Sequence, residues 1–175
     1  SSLNAFMVAF ALQHRDLLAH WQVLHLAGPR GTPSAPELEQ AYARAGVPAK
    51  VLPFLNRMGL AWGAAELALS RAGANSVAEA EANRVPTIFV PYPFHKDLHQ
   101  VANAQPLVDA GAAVLAYDRL EVAANLRSIG EPLAALLADG RQRDRIEEAL
   151  RARAVPDAAD AIARTVLGVR GRVSH

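Results

Sequence analysis

The sequence contains no cysteine, which excludes a disulfide scaffold and thiolate metal sites and fits a reducing compartment, with the cytosol as the default. It also lacks an excess of charge of one sign. The 18 basic side chains are nearly balanced in number by 17 acidic ones, so we do not expect the positively charged surface that nucleic acid binding requires. The apolar run from Leu3 to Leu12 has no basic leader and is interrupted by Asn4, so it predicts neither a signal peptide nor a membrane span.

Hydrophobic residues make up 51% of the 175 residues, which is enough for one well-filled core and too little chain for two ordinary domains. No internal repeat or low-complexity stretch divides the chain. We therefore expect a single domain over residues 1–175.

Short apolar segments alternate with helical patterns along the chain. The predicted strands are Trp21 to Ala27, Val51 to Phe54, Glu66 to Ser70, Thr87 to Pro91 and Ala112 to Tyr117. A helix is predicted over Leu3 to Leu18, and another begins after Ser34 and stops at Gly46. This alternation predicts an α/β fold: a Rossmann-like parallel sheet flanked by helices, with its strands covered on both faces. Three further helices are expected at about residues 121–137, 141–153 and 157–167.

The loop after the third predicted strand passes through small residues into a helix. In open parallel sheets, ligands bind at the carboxyl ends of the strands. Free N–H groups at a helix start, together with the helix dipole, form a site for a diphosphate, which here involves Gly73, Ala74, Asn75 and Ser76. Glu79 follows one turn later, where its carboxylate could accept hydrogen bonds from both ribose hydroxyls.

A purely structural interpretation of this loop is also open. Ser76 and Glu79 stand three residues apart, as in a capping box that only satisfies the end of a helix. Gly73 could likewise be a turn glycine.

The loop after the fourth predicted strand leads into a helix whose first turn carries His99, Gln100 and Asn103. Polar side chains clustered within one turn suit the hydroxyls of a sugar. Two alternatives are open: a solvated first turn, or a metal pair formed by His95 and His99, for which no third ligand lies nearby in the sequence.

Phe54 and Leu55 follow the second predicted strand. An aromatic side chain at the carboxyl end of a strand can stack on a planar base, and the next backbone groups can pair with the edge of that base. The alternative is that Phe54 belongs to the core.

Four blocks of the sequence together resemble the C-terminal domain of the MurG family of glycosyltransferases. The blocks are SRAGANSVAE at Ser70 to Glu79, VPTIFVPYPF at Val85 to Phe94, HQVANA with LVDAGAA between His99 and Ala113, and LPFLNRM at Leu52 to Met58. The match covers nearly the whole chain, and the order and spacing of the four blocks make it specific.

The resemblance implies one half of a GT-B fold and a set of roles in binding UDP-N-acetylglucosamine. Phe54 and Leu55 would lie at the uracil, Glu79 at the ribose, and His99, Gln100 and Asn103 near the N-acetylglucosamine. The diphosphate would be held by Gly73, Ala74, Asn75 and Ser76, and Arg71 of the same block joins the substrate-binding residues. No catalytic residue, metal or other cofactor is implied for this chain.

The family also implies parts that this sequence does not contain. A glycine-rich phosphate loop is expected just before Ser1, and an N-terminal acceptor domain is expected upstream to handle the membrane and the lipid-linked muramyl-pentapeptide acceptor. The complete protein would then be cytoplasmic and peripheral to the inner face of the bacterial plasma membrane. Two alternatives keep the fold: the donor domain of another UDP-sugar transferase, such as a glycolipid galactosyltransferase, or a non-catalytic nucleotide-sugar-binding module.

Overall fold

Strands and helices alternate in the computed structural model, which describes residues 1–94 and 99–153 together with Ala163, Val166 and Leu167. The strands are β1 (Val23–Leu26), β2 (Ala49–Leu52), β3 (Ala68–Ser70), β4 (Thr87–Phe89) and β5 (Val114–Leu115). The helices are α1 (Ser2–Gln13), α2 (Arg15–Leu18), α3 (Ala35–Ala45), α4 (Met58–Ala64), α5 (Ala74–Asn83), α6 (His99–Asp109), α7 (Val122–Ser128), α8 (Gly130–Ala138) and α9 (Gly140–Ala152).

All strand pairs in the described part of the chain are parallel, as expected, but they form two sheets rather than one. β1 pairs with β2, and the second sheet has the order β3-β4-β5. A cavity of about 410 Å³ lies where β1 and β3 begin, and it is lined by Trp21 before β1 and Glu66 before β3.

The second strand lies two residues earlier than the predicted Val51 to Phe54. β2 runs beside β1 from the Val23–Ala49 pair to the Leu26–Leu52 pair. Pro53 follows directly and has no N–H group to donate, so the ladder ends there. Phe54 consequently lies in the loop after the strand.

The strands differ in how fully they are covered. β4 is buried along its whole length, with Thr87, Ile88 and Phe89 each exposed by 1% or less, which confirms the expectation of a strand covered on both faces. The same expectation is wrong for β1, because Leu24 is 45% exposed.

The predicted start and stop of α3 are both confirmed. Ser34 is the N-cap, and the Glu37 carboxylate accepts hydrogen bonds from the Ser34 backbone N–H at 2.7 Å and from its hydroxyl at 2.6 Å. The hydroxyl bond and then the backbone bond lower the pKa of Glu37. Gly46 ends the helix with φ of 69°, a left-handed conformation that glycine adopts without strain.

Two of the predicted helices, the opening one and the one at residues 121–137, are interrupted. The opening helix ends at His14, whose ring packs 4.5 Å from that of Phe10, and α2 follows as a separate short helix. The segment predicted as one helix over residues 121–137 divides into α7 and α8. Gly130 begins α8, where an added Cβ would lie in van der Waals contact with the Phe10 ring at 3.4 Å.

A chain of buried polar groups joins α1, β1 and α3. The Asn4 amide donates to the carbonyls of Ala27 and Pro33, which leaves its Oδ1 to accept from Nε2 of His25 at 3.3 Å. Nδ1 of His25 then accepts from the Tyr42 hydroxyl at 2.9 Å. Burial lowers the pKa of His25 to about 4 and raises that of Tyr42, so both groups stay neutral.

The helices do not meet the requirements of a membrane span within the described part of the chain. None of those within the described ranges combines enough length with enough apolar character to traverse a bilayer. The last predicted helix, at about residues 157–167, falls outside the described residues apart from Ala163, Val166 and Leu167.

Candidate functional site

The loop after β3 leads directly into α5, whose first turn offers unbonded backbone amides. Gly73 is the N-cap residue, and the first bond inside the helix runs from the N–H of Val77 to the carbonyl of Gly73, at 3.0 Å. The amides of Ala74, Asn75 and Ser76 precede this bond, so they have no carbonyl one turn back. They point out of the helix start, where the dipole favours a negative charge.

Gly73 is not required by the protein's own geometry. Its φ is −66°, a value open to every amino acid, and a Cβ built on it would meet no atom within 4 Å. The turn-glycine interpretation therefore does not explain the residue. Open space beside the N-cap residue, with no side chain on it, lets a ligand approach the backbone closely.

Ser76 and Glu79 do not form a capping box, because the cap of α5 is Gly73 and Ser76 is the third helical residue. The Glu79 carboxylate instead accepts a hydrogen bond from the indole Nε1–H of Trp62, with 2.8 Å between Oε2 and Nε1. Trp62 belongs to α4 and is 6% exposed, while Glu79 is half-buried. The carboxylate is thus held at the junction of α4 and α5.

Arg71 connects the loops that follow the strands of the second sheet. Its Nη1 donates to the carbonyls of Val90 and Pro91 at 3.3 and 3.2 Å, and its Nη2 lies 2.8 Å from Oδ2 of Asp118. The guanidinium carbon lies 5.4 Å from the centre of the Tyr92 ring, in a cation–π contact. Arg71 therefore brings a positive charge to this edge and organises the loops around it.

Asp118, just after β5, is the acceptor at the centre of this network. Burial of its carboxyl would raise the pKa, but hydrogen bonds from Ser2, Asn125, the backbone of Leu120 and Arg71 outweigh burial and hold the pKa below its ordinary value. The carboxylate thereby binds the start of α1, through the Ser2 hydroxyl, to the loop after β5.

The predicted sugar-binding residues lie on the first turns of α6, beside the loops after β3 and β4. Oε1 of Gln100 accepts from the N–H of Tyr92 at 2.9 Å, and Nδ2 of Asn103 donates to the carbonyl of Ala72 at 3.1 Å. His99 is exposed. The Asn103 amide therefore lies beside the loop that opens α5, and the Gln100 amide lies beside the loop after β4.

The metal interpretation involved His95, which falls outside the described residues. Within the ranges that are described, no group of three or more His, Asp or Glu side chains could hold a metal ion.

Phe54 is not a core residue: its side chain is 67% exposed in the loop after β2, and Leu55 is half-buried next to it. An exposed aromatic ring at the carboxyl end of a strand is available for stacking. Of the two interpretations from the sequence, burial in the core is wrong.

A cavity of about 210 Å³ opens at the carboxyl edge of β4 and β5. Gln100 lines it together with Pro91, Tyr92, Pro93, Val101, Tyr117, Asp118 and Arg119. The larger cavity beside Trp21 and Glu66 faces the opposite edge of the sheets. Because ligands in parallel α/β folds bind at the carboxyl ends of strands, the smaller cavity is the one next to the candidate site.

Two residues that organise the site were not predicted from the sequence. Asp118 lies in the loop after β5, three residues past its last residue Leu115, and the rule that ligands bind at strand ends could have drawn attention to it. Trp62 gave no local signal, since its partner Glu79 lies 17 residues away on another helix.

Comparison with known protein families identifies the domain. The model of the glycosyltransferase family 28 C-terminal domain matches residues 2–162. The chain belongs to this family.

Curated family 28 relatives cover most of the chain. A protein of Alkalilimnicola ehrlichii is 43% identical over 145 residues, which are 83% of this chain and 39% of the relative. One of Xylella fastidiosa is 42% identical over 131 residues, 75% of this chain and 35% of the relative. Both are named UDP-N-acetylglucosamine–N-acetylmuramyl-(pentapeptide) pyrophosphoryl-undecaprenol N-acetylglucosamine transferase. The chain thus spans less than two fifths of the length of these relatives.

A solved structure supports the family 28 fold. The crystal structure of MurG from Acinetobacter baumannii superposes with a TM-score of 0.75 at 25% sequence identity, over 95% of this chain and 46% of the other. The expected fold class is confirmed: parallel sheets flanked by helices, matching part of a GT-B enzyme.

Proposed function

We propose that this family 28 chain is the donor-binding domain of a glycosyltransferase and that it binds UDP-N-acetylglucosamine. The observation that carries the proposal is the start of α5, where the amides of Ala74, Asn75 and Ser76 have no helical partner and a Cβ added to the N-cap Gly73 would meet open space. Three N–H groups without a helical partner and the positive end of a helix dipole suit a diphosphate.

The remaining groups extend from the diphosphate in both directions. Toward the nucleoside, Glu79 takes the ribose hydroxyls and the exposed ring of Phe54 stacks on uracil, with the Leu55 backbone at the edge of the base. Toward the sugar, the first turns of α6 offer hydrogen-bonding groups to the N-acetylglucosamine hydroxyls, and these belong to His99, Gln100 and Asn103.

The chemistry assigned to these residues is stabilisation of the departing UDP. When the sugar is transferred, negative charge grows on the diphosphate, and helix amides already aimed at it need no rearrangement. Arg71 adds positive charge at the same edge, although its guanidinium also bonds to Asp118 and to two backbone carbonyls.

The acceptor half of the reaction is assigned to a segment preceding this chain in a longer protein. The curated relatives are more than twice as long and are named for transfer of N-acetylglucosamine to a lipid-linked muramyl-pentapeptide. We assign that acceptor, the base that deprotonates its hydroxyl and the contact with the inner face of the plasma membrane to an N-terminal acceptor domain.

Calorimetry with UDP tests the proposal. The site is tested by the substitution Phe54→Ala, with Leu60→Ala as its control. Both side chains are highly exposed, at 67 and 60%, so neither substitution should unfold the protein. Loss of base stacking in Phe54→Ala should weaken UDP binding roughly tenfold, whereas Leu60→Ala should bind UDP as the unaltered chain does.

A folded sample that releases no heat with millimolar UDP would contradict the proposal. Competition between UDP-N-acetylglucosamine and UDP-galactose tests the assigned sugar. If UDP-galactose competes more strongly, the donor domain serves a different transferase.

A further inference from the structure

Trp62 of α4 and Glu79 of α5 form a hydrogen bond that joins two elements of the candidate site. Nε1 of the indole lies 2.8 Å from Oε2 of the carboxylate. The Trp62 side chain is 6% exposed, and a buried indole N–H needs an acceptor. Glu79 provides that acceptor.

The bond occupies one oxygen of the Glu79 carboxylate and leaves the other oxygen available to accept hydrogen bonds. Oε2 of Glu79 receives the indole N–H, and Oε1 receives no hydrogen bond from any residue in the described ranges. A carboxylate has about four acceptor positions, and an indole can only donate. The side chain is therefore held in one orientation while it keeps acceptor capacity for further donors.

The position of α4 gives this bond a second consequence. α4 begins four residues after Phe54, so the helix that holds Glu79 through Trp62 is continuous with the loop assigned to the base. A displacement of α4 would move the ring at the base and the carboxylate at the ribose together.

We propose that Trp62 is a positioning residue that orients the Glu79 carboxylate toward the ribose hydroxyls of the nucleotide. This inference rests on the proposed function, since it concerns the same nucleotide. Trp62 itself does not touch the ligand: it fixes the side-chain rotamer of Glu79, so that Oε1 meets the hydroxyls without loss of rotamer freedom on binding.

The test compares Trp62→Phe with Trp21→Phe and uses two nucleotides, UDP and 2′,3′-dideoxy-UDP. Trp62→Phe removes the indole N–H and keeps an aromatic ring. Trp21 is the other tryptophan of the chain, lies at the opposite edge of the sheets and contacts Arg143, so it is the matched control. Calorimetry gives the affinity of each variant for each nucleotide.

The unaltered chain should prefer UDP over the dideoxy nucleotide, and Trp62→Phe should reduce this preference roughly tenfold by weakening UDP binding alone. Trp21→Phe should keep it. In a Glu79→Ala background, Trp62→Phe should have no further effect on UDP binding. A purely structural role would weaken both nucleotides equally in Trp62→Phe, and that result would overturn the inference.

A measurement on the unaltered chain covers the case in which Trp62→Phe does not fold. The two tryptophans give two indole N–H signals in a ¹⁵N-edited NMR spectrum, which Trp21→Phe assigns. UDP at saturation should shift the Trp62 signal more than the dideoxy nucleotide does. Equal shifts, or none, would overturn the inference. If UDP does not bind to the unaltered chain at all, the proposed function itself is wrong. That outcome differs from one in which UDP binds but the Trp62 signal does not respond to the ribose hydroxyls.

Discussion

The guanidinium of Arg71 lies 2.8 Å from the carboxylate of Asp118, and this ion pair joins the loops that follow β3 and β5. The Asp118 side chain is fully buried, and that of Arg71 is 26% exposed. Because Arg71 also donates to the carbonyls of Val90 and Pro91, the loop after β4 is held in the same network. The carboxyl edge of the second sheet is therefore pre-formed by the protein's own charges.

Replacement of Asp118 by Asn should destabilise the fold. Asn removes the charge that compensates Arg71, and loss of one partner of a buried, hydrogen-bonded pair is costly. Because Arg71 is partly solvated, we expect a loss of about 2 kcal/mol in the free energy of unfolding, measured by urea denaturation.

The control for Asp118→Asn is Glu147→Gln. Glu147 also pairs with an arginine, Arg151, but the two side chains are 38 and 62% exposed. Removing this surface pair should change the free energy of unfolding by less than about 0.5 kcal/mol. Equal effects of the two substitutions would show that the Arg71–Asp118 pair is no more than a surface contact.

His25 should make the protein less stable in mild acid. Its pKa is lowered by burial to about 4 in the folded protein, against 6.5 for a solvated histidine. The unfolded chain therefore takes up a proton first, so stability present above pH 6.5 is lost as the pH falls toward 4. Between pH 7.5 and pH 5 this loss should amount to about 2 kcal/mol in the free energy of unfolding.

Urea denaturation across this pH range measures the effect, with His25→Gln and His20→Gln compared. His25→Gln removes the buried titrating group, so its stability should vary less with pH. His20 is exposed, and its replacement should leave the pH dependence as it is. An unchanged slope in His25→Gln would contradict the assignment.

Gly73→Ala should separate binding from stability. The φ of −66° suits alanine and the added Cβ meets no protein atom within 4 Å, so the free energy of unfolding should change by at most about 1 kcal/mol, the cost of alanine at an N-cap. The methyl group should nevertheless crowd a diphosphate at the helix amides and weaken UDP binding roughly tenfold or more.

Gly140→Ala is the matched control for this substitution. Gly140 lies at the start of α9, and its added Cβ would make an ordinary contact of 3.5 Å with Nη2 of Arg143. Calorimetry should find its UDP affinity unchanged. Unimpaired binding in Gly73→Ala would place the diphosphate elsewhere.

The sequence by itself determined the features that depend on residues a few positions apart. The alternation of strands and helices follows from local periodicity, and the start of α3 follows from Ser34 and Glu37, which are three residues apart. The choice of loops for the candidate site followed from the rule that ligands bind at the carboxyl ends of parallel strands. The alternation and the start of α3 are confirmed, because both are governed by contacts within one or two helical turns.

Only the tertiary structure decided which distant side chains meet. The Trp62–Glu79 bond spans 17 residues and two helices, and the Arg71–Asp118 pair spans 47 residues and two loops. The exposure of Phe54 likewise depends on which elements pack over the loop after β2. The packing of helices against sheets sets these distances, and no local spacing in the sequence encodes it.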